Sequence, residues 1–379
     1  MNFDFSDEQQ ELRRQAQRLL GSGPRAARAQ LESDAPYDRA LWRQAVEMGW
    51  TAAAIAEEQG GLGLGTLELC VLAEECGRVL APVPFAASVL HATEALRLAQ
   101  SGGAADEVAN EWLPRLAAGE VVASLALVET GGRLWTDKPA ARVVGGRLSG
   151  TKEAVAHAAG ADIAIVSAHA DDDGDGFSLW LVDMRGDGVQ RENLKSLDLV
   201  NRHGRLCFEG AAARRVGAAG AGAAILQRLI ETVAVLTAFE QLGSAEGAMA
   251  LTLEYVKTRK TFGREVAGYQ AVKHKLADMY VKIQLARSHA YYGAWALSHA
   301  APELPQAAAG ARLAALDALA YVTEESVELH GGIGFTWECD IQLYYRNCRA
   351  QAVGLGGRQY WSRALTAALA ASLAEPATS

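Results

Sequence analysis

A chain of 379 residues, half of them hydrophobic, is long enough to form two or three domains with a sizeable core. Its net charge of −9 argues against nucleic acid or an anionic membrane surface as a partner. The chain contains no run of about 18 uncharged apolar residues, so no membrane-spanning helix is predicted. Residues 1–7 are acidic, unlike a targeting peptide, so we expect a soluble cytoplasmic protein.

Helical patterns fill residues 1–120, for which we predict an N-terminal helical domain. Ser6 and Gln9 form a capping-box pattern at the start of a helix that should end near Gly21. The glycine-rich stretch 60–65 follows no predicted strand and lacks the Gly-x-Gly-x-x-Gly spacing, which argues against a Rossmann or P-loop nucleotide site. Further helices are predicted at 41–48, from Thr66 onward and at 86–100.

Residues 121–217 contain short apolar runs bounded by glycine and aspartate, which predict a small β domain. The loop 171–176 has alternating carboxylates near glycine, as in a calcium site, but it lacks the distal glutamate of an EF-hand, so we interpret it as a solvated hairpin turn. The five cysteines form no CxxC pair and no cluster with histidine, so no metal is predicted. The runs are 122–128, 141–144, 161–167, 177–182 and 205–208.

Long helical patterns with short joints return over residues 218–379 and predict a C-terminal four-helix bundle. A basic turn at 259–263, Arg-Lys-Thr-Phe-Gly, joins the two longest segments and is followed by Arg264. Because a guanidinium group is the side chain best matched to a phosphate, this turn is a candidate anion site. Taken alone, the same pattern also fits a solvated basic turn between two helices. The helical segments are 221–258, 269–291, 304–329 and one that follows Gly357.

A second glycine-rich stretch, 330–338, reads His-Gly-Gly-Ile-Gly-Phe-Thr-Trp-Glu. Its three glycines end the preceding helix, and they either cap that helix or let the backbone approach a ligand closely. Together with the opening 3–9 and the turn at 60–65, the two stretches make the chain resemble the acyl-CoA dehydrogenase family over nearly its whole length.

The resemblance implies a mainly α fold with a middle β domain: an N-terminal helical domain, a β-barrel and a C-terminal four-helix bundle. It also implies FAD as the cofactor, an acyl-CoA thioester as the substrate, electron-transfer flavoprotein or another electron acceptor, and assembly as dimers or tetramers. Arg259, Thr261 and Phe262 would contact the diphosphate and adenosine of an FAD in a neighbouring subunit. Glu328 departs from the family, which usually has glutamine there. The other implied FAD contacts are Gln270, Gly331, Gly332, Gly334 and Gln359.

In the family, a glutamate removes the α-proton of the thioester while the flavin accepts the β-hydride. Here Leu355 occupies the usual position of that glutamate late in the chain, and Val233 occupies its alternative position on the first helix of the bundle. Glu231 and Glu240 lie near the second position but about half a helical turn or more out of place. The resemblance therefore predicts no catalytic residue on this chain.

The flavin-contacting part of the middle domain also departs from the family. The family's Thr-Glu-Pro-x-Ala-Gly-Ser-Asp stretch is reduced to 128–132, Val-Glu-Thr-Gly-Gly, and Ala154 and Ala156 replace an aromatic residue and a threonine. Alanine cannot hydrogen-bond a flavin and leucine cannot abstract a proton. The chain thus keeps the half of the site that it would lend to a neighbour and lacks the half that it would use itself.

Our preferred interpretation is the base-lacking subunit of a hetero-oligomeric acyl-CoA dehydrogenase, whose homologous partner subunit supplies the glutamate and most of the flavin pocket. Heterotetrameric family members that act on steroid side-chain thioesters resemble this pattern, with Tyr360 and Trp361 as candidate interface anchors. Two alternatives stay open. One is a homo-oligomeric flavoprotein with altered chemistry that uses Glu129, His157 or Glu338. The other is a non-enzymatic scaffold that has lost FAD.

Overall fold

The computed structural model describes residues 6–100, 106–131 and 138–374. Helices come first, then strands, then helices again, so the predicted mainly α fold with a middle β domain is confirmed. Of the motifs that carry the family resemblance, residues 3–5 and Gly132 lie outside the described residues.

The N-terminal domain begins with the predicted capping box. The Gln9 amide donates to Ser6 Oγ at 3.2 Å, and the Ser6 amide donates to Gln9 Oε1 at 3.0 Å. The sixth helix was not predicted, because Pro114 lies inside it. The helices are α1 (Asp7–Leu20), α2 (Arg25–Gln30), α3 (Arg39–Glu47), α4 (Thr66–Val79), a π-helical segment (Phe85–Thr93) that continues into α5 (Glu94–Gln100), and α6 (Glu107–Ala117).

The middle domain is a closed β-barrel. Its fourth strand pairs with the second and the fifth, the third pairs with the second and the seventh, and the seventh pairs with the fifth, which completes a ring. The sixth strand was missed in the sequence because most of its residues are exposed, so it shows no apolar alternation. The strands are β1 (Ala123–Ala126), β2 (Arg142–Val144), β3 (Arg147–Ala156), β4 (Ile163–Ala170), β5 (Ser178–Asp183), β6 (Val189–Asn193) and β7 (His203–Val216).

The acidic loop 171–176 joins the antiparallel strands β4 and β5, so the predicted hairpin turn is confirmed. The buried carboxylate of Asp173 accepts hydrogen bonds from the amides of Ala170 at 2.7 Å and Gly220 at 2.9 Å. Through these hydrogen bonds the Asp173 carboxylate stabilises the turn. Within the described residues, no group of three or more His, Cys, Asp or Glu side chains is placed to hold a metal ion.

The C-terminal domain is the predicted helical bundle. A two-stranded hairpin, which the sequence indicated only as a turn, separates its first two helices. The first helix is long and apolar enough to cross a membrane, but 72% of its most apolar window is buried inside the protein, as in a core helix. The elements are α7 (Gly222–Thr258), β8 (Lys260–Thr261), β9 (Arg264–Glu265), α8 (Gln270–Ser298), α9 (Leu304–His330), α10 (Ile341–Gln351) and α11 (Arg358–Ala374).

Helices α4 and α7 cross with their backbones in direct contact. A Cβ atom added at Gly77 would lie 1.9 Å from the carbonyl oxygen of Glu240, and one added at Gly243 would lie 1.8 Å from that of Glu74. No side chain fits at either position. The crossing joins the N-terminal domain to the bundle and forms one wall of the cavity described below.

A buried ion-pair network reinforces this junction. Glu74 on α4 contacts Arg13 of α1 at 2.5 Å and Arg287 of α8 at 2.7 Å. Arg287 also pairs with Glu246 on α7. The network therefore connects the N-terminal domain with two helices of the bundle, and both charges of Glu74 and Arg287 are compensated where they are buried.

Candidate active site and cofactor surface

A cavity of ≈ 1160 Å³ lies where the three domains meet. Its walls come from α4, the π-helical segment, the barrel strands, α7, α9 and the segment 353–363 that follows α10. A cavity of this size is large enough for a drug-sized or lipid-like ligand. Leu355 lines it, whereas Val233 lies behind its wall.

The segment that carries Leu355 is held in place from two sides. Arg312 on α9 donates hydrogen bonds to the carbonyls of Gln351 at 2.9 Å and Gly354 at 2.8 Å. Trp361 donates from its indole nitrogen to the carbonyl of Leu355 at 2.9 Å. Because Trp361 is buried in this way within its own chain, its expected role as an interface anchor was wrong.

The two positions that the resemblance assigns to a catalytic glutamate are associated with one apolar cluster. Val233 on α7 is 1% exposed and belongs to an apolar cluster, and Leu355 packs against the same cluster. Both side chains are hydrocarbons, so neither can accept a proton. This wall of the cavity has no acid or base at either position.

The barrel contributes Ala154 and Ala156 to the cavity. Ala154 has a positive φ of 51° at an irregularity of the β3–β7 pairing between Lys152 and Val155. Their side chains are single methyl groups without donors or acceptors. At these two positions the cavity does not fit the hydrogen bonds that a flavin ring requires.

Glu129, one of the candidate bases, is held in an ion pair. Its carboxylate contacts Lys152 Nζ at 2.8 Å and accepts from the amides of Ala140 at 2.7 Å and Ala141 at 3.0 Å. Burial alone would raise the pKa of Glu129, but these hydrogen bonds outweigh it and lower the pKa below the usual value. Burial also lowers the pKa of Lys152, against the effect of Glu129. Glu129 thus links Lys152 on β3 to the backbone at Ala140 and Ala141.

The other two candidates differ in position. His157 lines the cavity, and burial, followed by the neighbouring His203, lowers its pKa to about 4, so the imidazole is neutral near pH 7. Glu338 is exposed and does not line the cavity, and hydrogen bonds with its own amide and with Thr336 lower its pKa. Of the three candidates, therefore, only His157 reaches this cavity.

Glu240 lines the cavity, although it does not occupy the position of Val233. Seven residues separate it from Val233, which is nearly two turns at about 3.6 residues per turn, so both project from the same face of α7. Burial raises the pKa of Glu240 to about 7, Arg312 opposes this increase, and Asp198 adds to it. Glu231 faces elsewhere and hydrogen-bonds Gln227 at 2.6 Å.

The two candidate phosphate-binding stretches meet at one end of the bundle, away from this cavity. Tyr255, one turn before Arg259, stacks on His330, which directly precedes Gly331. Arg259 is exposed, and within the described residues its guanidinium group makes no hydrogen bond or ion pair. Hence a charged donor and a glycine-rich backbone lie at the same end of the bundle.

The hairpin at this end presents an aromatic side chain to solvent. Thr261 pairs with Arg264, and Phe262 and Gly263 form the turn with φ angles of 51° and 81°. Phe262 is 94% exposed. Gln270, which begins α8 after a short 3-10 turn (Val266–Gly268) that follows the hairpin, contacts His274 at 2.9 Å.

The glycines at this end have different surroundings. A Cβ atom added at Gly331 or Gly332 would meet nothing within 4 Å, whereas one at Gly334 would lie 2.7 Å from the carbonyl oxygen of Val327. The first two leave open space for a ligand, and the third is required for packing. Together with the unpaired guanidinium group, this open backbone fits a phosphate ligand. Gln359 is separate from this group, because it lines the cavity.

Comparison with known proteins gives the family. Residues 6–120 match the acyl-CoA dehydrogenase N-terminal domain, and residues 220–370 match the acyl-CoA dehydrogenase C-terminal domain. The acyl-CoA dehydrogenase IpdE2 of Mycobacterium tuberculosis is 32% identical over 349 residues, which cover 91% of this chain and 92% of that protein.

Two solved assemblies are similar along the whole length. A variant of the steroid ACAD Tcur3481–Tcur3483 is 31% identical, with a TM-score of 0.85 over 97% of this chain and 99% of that chain. The ChsE4–ChsE5 complex from Mycobacterium tuberculosis is 27% identical, with a TM-score of 0.86 and coverage of 100% for both chains.

The chain therefore belongs to the acyl-CoA dehydrogenase family. Members of this family bind FAD, and the chain is an oxidoreductase of the FAD-dependent acyl-CoA dehydrogenase type.

Proposed function

We propose that this chain is the base-lacking subunit of a hetero-oligomeric acyl-CoA dehydrogenase and shares its active site with a homologous partner subunit. The observation that carries the proposal is that both positions at which the resemblance places a catalytic glutamate are hydrocarbons: Leu355 on the cavity wall, and Val233 in the apolar cluster behind it. Ala154 and Ala156 support it, because they offer no hydrogen bonds to a flavin ring in this chain's own cavity.

In this arrangement the outer end of the bundle serves the partner's site. Arg259 and the backbone at Gly331 and Gly332 would hold the diphosphate and adenosine of an FAD whose reactive ring lies in the partner. When bound, FAD supplies the acceptor for the β-hydride of an acyl-CoA thioester. The partner's glutamate would remove the α-proton, so this chain binds and orients and does not transfer protons.

Exposed aromatic residues at the same end support an interface. Phe262 is 94% exposed and Phe335, which follows the glycine-rich stretch, is 80% exposed. Large apolar side chains in solvent near a ligand surface are typical of a region that another chain covers. The names of two similar assemblies, Tcur3481–Tcur3483 and ChsE4–ChsE5, each join two proteins, which is consistent with a hetero-oligomer.

The experiment that tests the proposal is purification of this chain alone and together with a homologue encoded beside it. We expect the chain alone to be colourless or poorly assembled, and the co-expressed pair to be a yellow hetero-oligomer that dehydrogenates an acyl-CoA thioester. Flavin absorbance and native mass give the result. A yellow homo-oligomer with one flavin per chain would contradict the proposal.

A second candidate function is a homo-oligomeric flavoprotein with altered chemistry on a carrier-bound or other substrate. The observation that favours it is Glu240, a carboxyl in the cavity whose pKa of about 7 suits a general base. Turnover by this chain alone that Glu240→Gln abolishes would establish this second function. A non-catalytic scaffold would retain neither flavin nor turnover in any assembly.

The proposed assembly has a defined set of further partners. The substrate class is an acyl-CoA thioester, and the electrons would pass to electron-transfer flavoprotein or another acceptor. We place the assembly in the cytoplasm, in agreement with the acidic and soluble character of the chain. Thioesters with different acyl groups, tested on the co-expressed pair, would identify the acyl chain.

A further inference from the structure

The inner end of the cavity contains polar groups that the proposed function does not use. Arg312 is 1% exposed, and although its Nη2 atom bonds two carbonyls, its Nε and Nη1 atoms have no partner among the described residues. The hydroxyl of Thr237 and the Nε2 atom of His91, both buried, are likewise unpartnered there. All three side chains line the cavity.

Such a set of unsatisfied groups is unusual. An unpaired buried polar group costs about 1–3 kcal/mol, and in native proteins most such groups have a partner. The cavity lining also includes large apolar side chains, among them Leu80, Phe85 and Leu90. A ligand that completes the polar contacts therefore has an apolar body and a polar oxygen group at one end.

The charges around Glu240 indicate which oxygen group fits. Three titratable groups from three segments interact with its carboxyl: Arg312 on α9, Cys76 on α4, and Asp198 before the barrel's last strand. Arg312 in turn acts on His91. No hydrogen bond or ion pair joins Glu240 to any other described side chain. Arg312 thus has one nearby acidic group, and that group does not contact it.

The carboxylate of Asp198 already has hydrogen-bond donors of its own. Its carboxylate accepts hydrogen bonds from the amides of Val200 at 2.9 Å and Asn201 at 3.1 Å, and from Asn347 Nδ2 at 2.9 Å. It therefore does not neutralise Arg312 by contact. A ligand anion at Arg312 would supply the missing direct partner for the guanidinium group.

We propose that the cavity of this chain binds an apolar molecule that ends in a carboxylate, and that this carboxylate contacts Arg312 while Glu240 is protonated. Under the proposed function the thioester chemistry takes place in the partner's site, so on that basis this cavity is a second ligand site. Release of such a ligand returns the proton from Glu240 to solvent.

The groups around the site indicate that Glu240 takes up a proton when the ligand binds. Burial lowers the pKa of His91 and His157 to about 4, so these two histidines do not titrate between pH 6 and 8.5, and burial also lowers the pKa of His203. Burial raises the pKa of the Cys76 thiol well above its usual value. Glu240, with a pKa of about 7, is then the group that changes charge. One linked proton makes the affinity fall roughly tenfold per pH unit above about 7.

The test measures binding to the full chain in the assembly in which it purifies. The probe is 11-(dansylamino)undecanoic acid, followed by its fluorescence, and the matched probe is the methyl ester of the same compound. We expect the acid to bind about 10- to 30-fold more weakly at pH 8.5 than at pH 6. The ester should bind at least tenfold more weakly than the acid at pH 6 and show no pH dependence.

Variants of this chain assign the site. Glu240→Gln should keep the pH 6 affinity for the acid up to pH 8.5, and Arg312→Gln should weaken binding at least tenfold. Arg363→Gln, which removes an exposed charge from the cavity lining, is the control and should change the affinity less than twofold. If Arg312→Gln fails to fold, the pH dependence of acid binding to Glu240→Gln still tests the proposal.

Three results would overturn the proposal. The first is equal binding of acid and ester, and the second is no saturable binding of the acid. The third is a pH profile that Glu240→Gln leaves unchanged, which would show that Glu240 is not the group that takes up the linked proton. Because no turnover is measured, failure here leaves the proposed subunit role intact.

Discussion

Tyr255 stacks on His330 with ring centroids 4.4 Å apart, and its hydroxyl donates to the His330 carbonyl at 3.2 Å. This contact holds the C-terminal part of α7, which Arg259 follows, against the end of α9, which Gly331 follows. Burial lowers the pKa of His330, although its hydrogen bond to the Ser326 carbonyl raises it, so the stacked ring stays neutral near pH 7.

Removing the Tyr255 side chain should loosen this end of the bundle. Tyr255→Phe loses only the hydrogen bond and should lower the free energy of unfolding by about 1 kcal/mol. Tyr255→Ala also loses the stacking and should cost roughly 2–3 kcal/mol, below the range for a fully buried aromatic residue because Tyr255 is partly exposed. Urea unfolding gives both values. Equal losses in the two variants would show that stacking contributes nothing.

Arg259 and Arg264 offer a matched pair for the proposed FAD contact. Both are exposed and flank the same hairpin, but the Arg264 guanidinium carbon already lies 3.8 Å from the centre of the Tyr269 ring. Arg259→Ala should weaken FAD retention by the assembly roughly 10- to 100-fold, as expected for one charge-assisted phosphate contact. Arg264→Ala should change it only slightly. Flavin absorbance after gel filtration measures retention, and equal losses would indicate general charge attraction instead.

Sequence patterns predicted correctly those elements whose formation depends only on residues adjacent in the chain. The capping box at Ser6 and the start of α4 at Thr66 need only neighbouring residues, and both were correct. Closure of the barrel was available only through the family resemblance, because the parallel pairing of β4 with β1 and β2 joins strands distant in sequence. Strand β6 depends on its pairing with β7, which its exposed residues do not reveal.

The candidate site was predicted unevenly for a related reason. The polar cluster at the inner end of the cavity consists of Glu240, Arg312 and His91. These residues come from three separate segments, and no spacing in the sequence connects them. One signal was available for Glu240, because a separation of seven residues from Val233 predicts the same helical face. The FAD-contact assignments, which rest on the resemblance, stay predictions until flavin binding is measured.

The glycines at the α4–α7 crossing give a prediction with an internal control. Gly243→Ala would place a methyl group 1.8 Å from the backbone oxygen of Glu74, so we expect a loss of roughly 3 kcal/mol or more. Gly310 on α9 has its nearest neighbour, His289 Nδ1, at 3.5 Å from an added Cβ atom, so Gly310→Ala should be neutral or stabilising by up to about 1 kcal/mol. Thermal unfolding compares the two. A small effect at Gly243 would mean that the helices can separate without penalty.

The raised pKa of Glu240 makes the stability of the protein depend on pH in a direction that can be derived. Its carboxyl titrates at about 7 in the folded protein and near its ordinary value of 4.5 in the unfolded chain. Between these values the folded state holds the extra proton, so the free energy of unfolding decreases as the pH rises through this window. Glu240→Gln cannot lose a proton, so it should remove this decrease.

We therefore expect Glu240→Gln to be more stable than the native protein at pH 8, on the order of 1–2 kcal/mol, and close to it at pH 5. The estimate is kept below the full linkage energy because the Glu240 side chain is partly accessible to the water of the cavity. Glu254→Gln, at an exposed position on the same helix, serves as the control and should be neutral at both values. Urea unfolding at pH 5 and pH 8 measures the difference. A stability gain for Glu240→Gln that is the same at both pH values would show that the buried carboxyl is not the titrating group, and the proton-linked ligand site would then lose its titrating group as well.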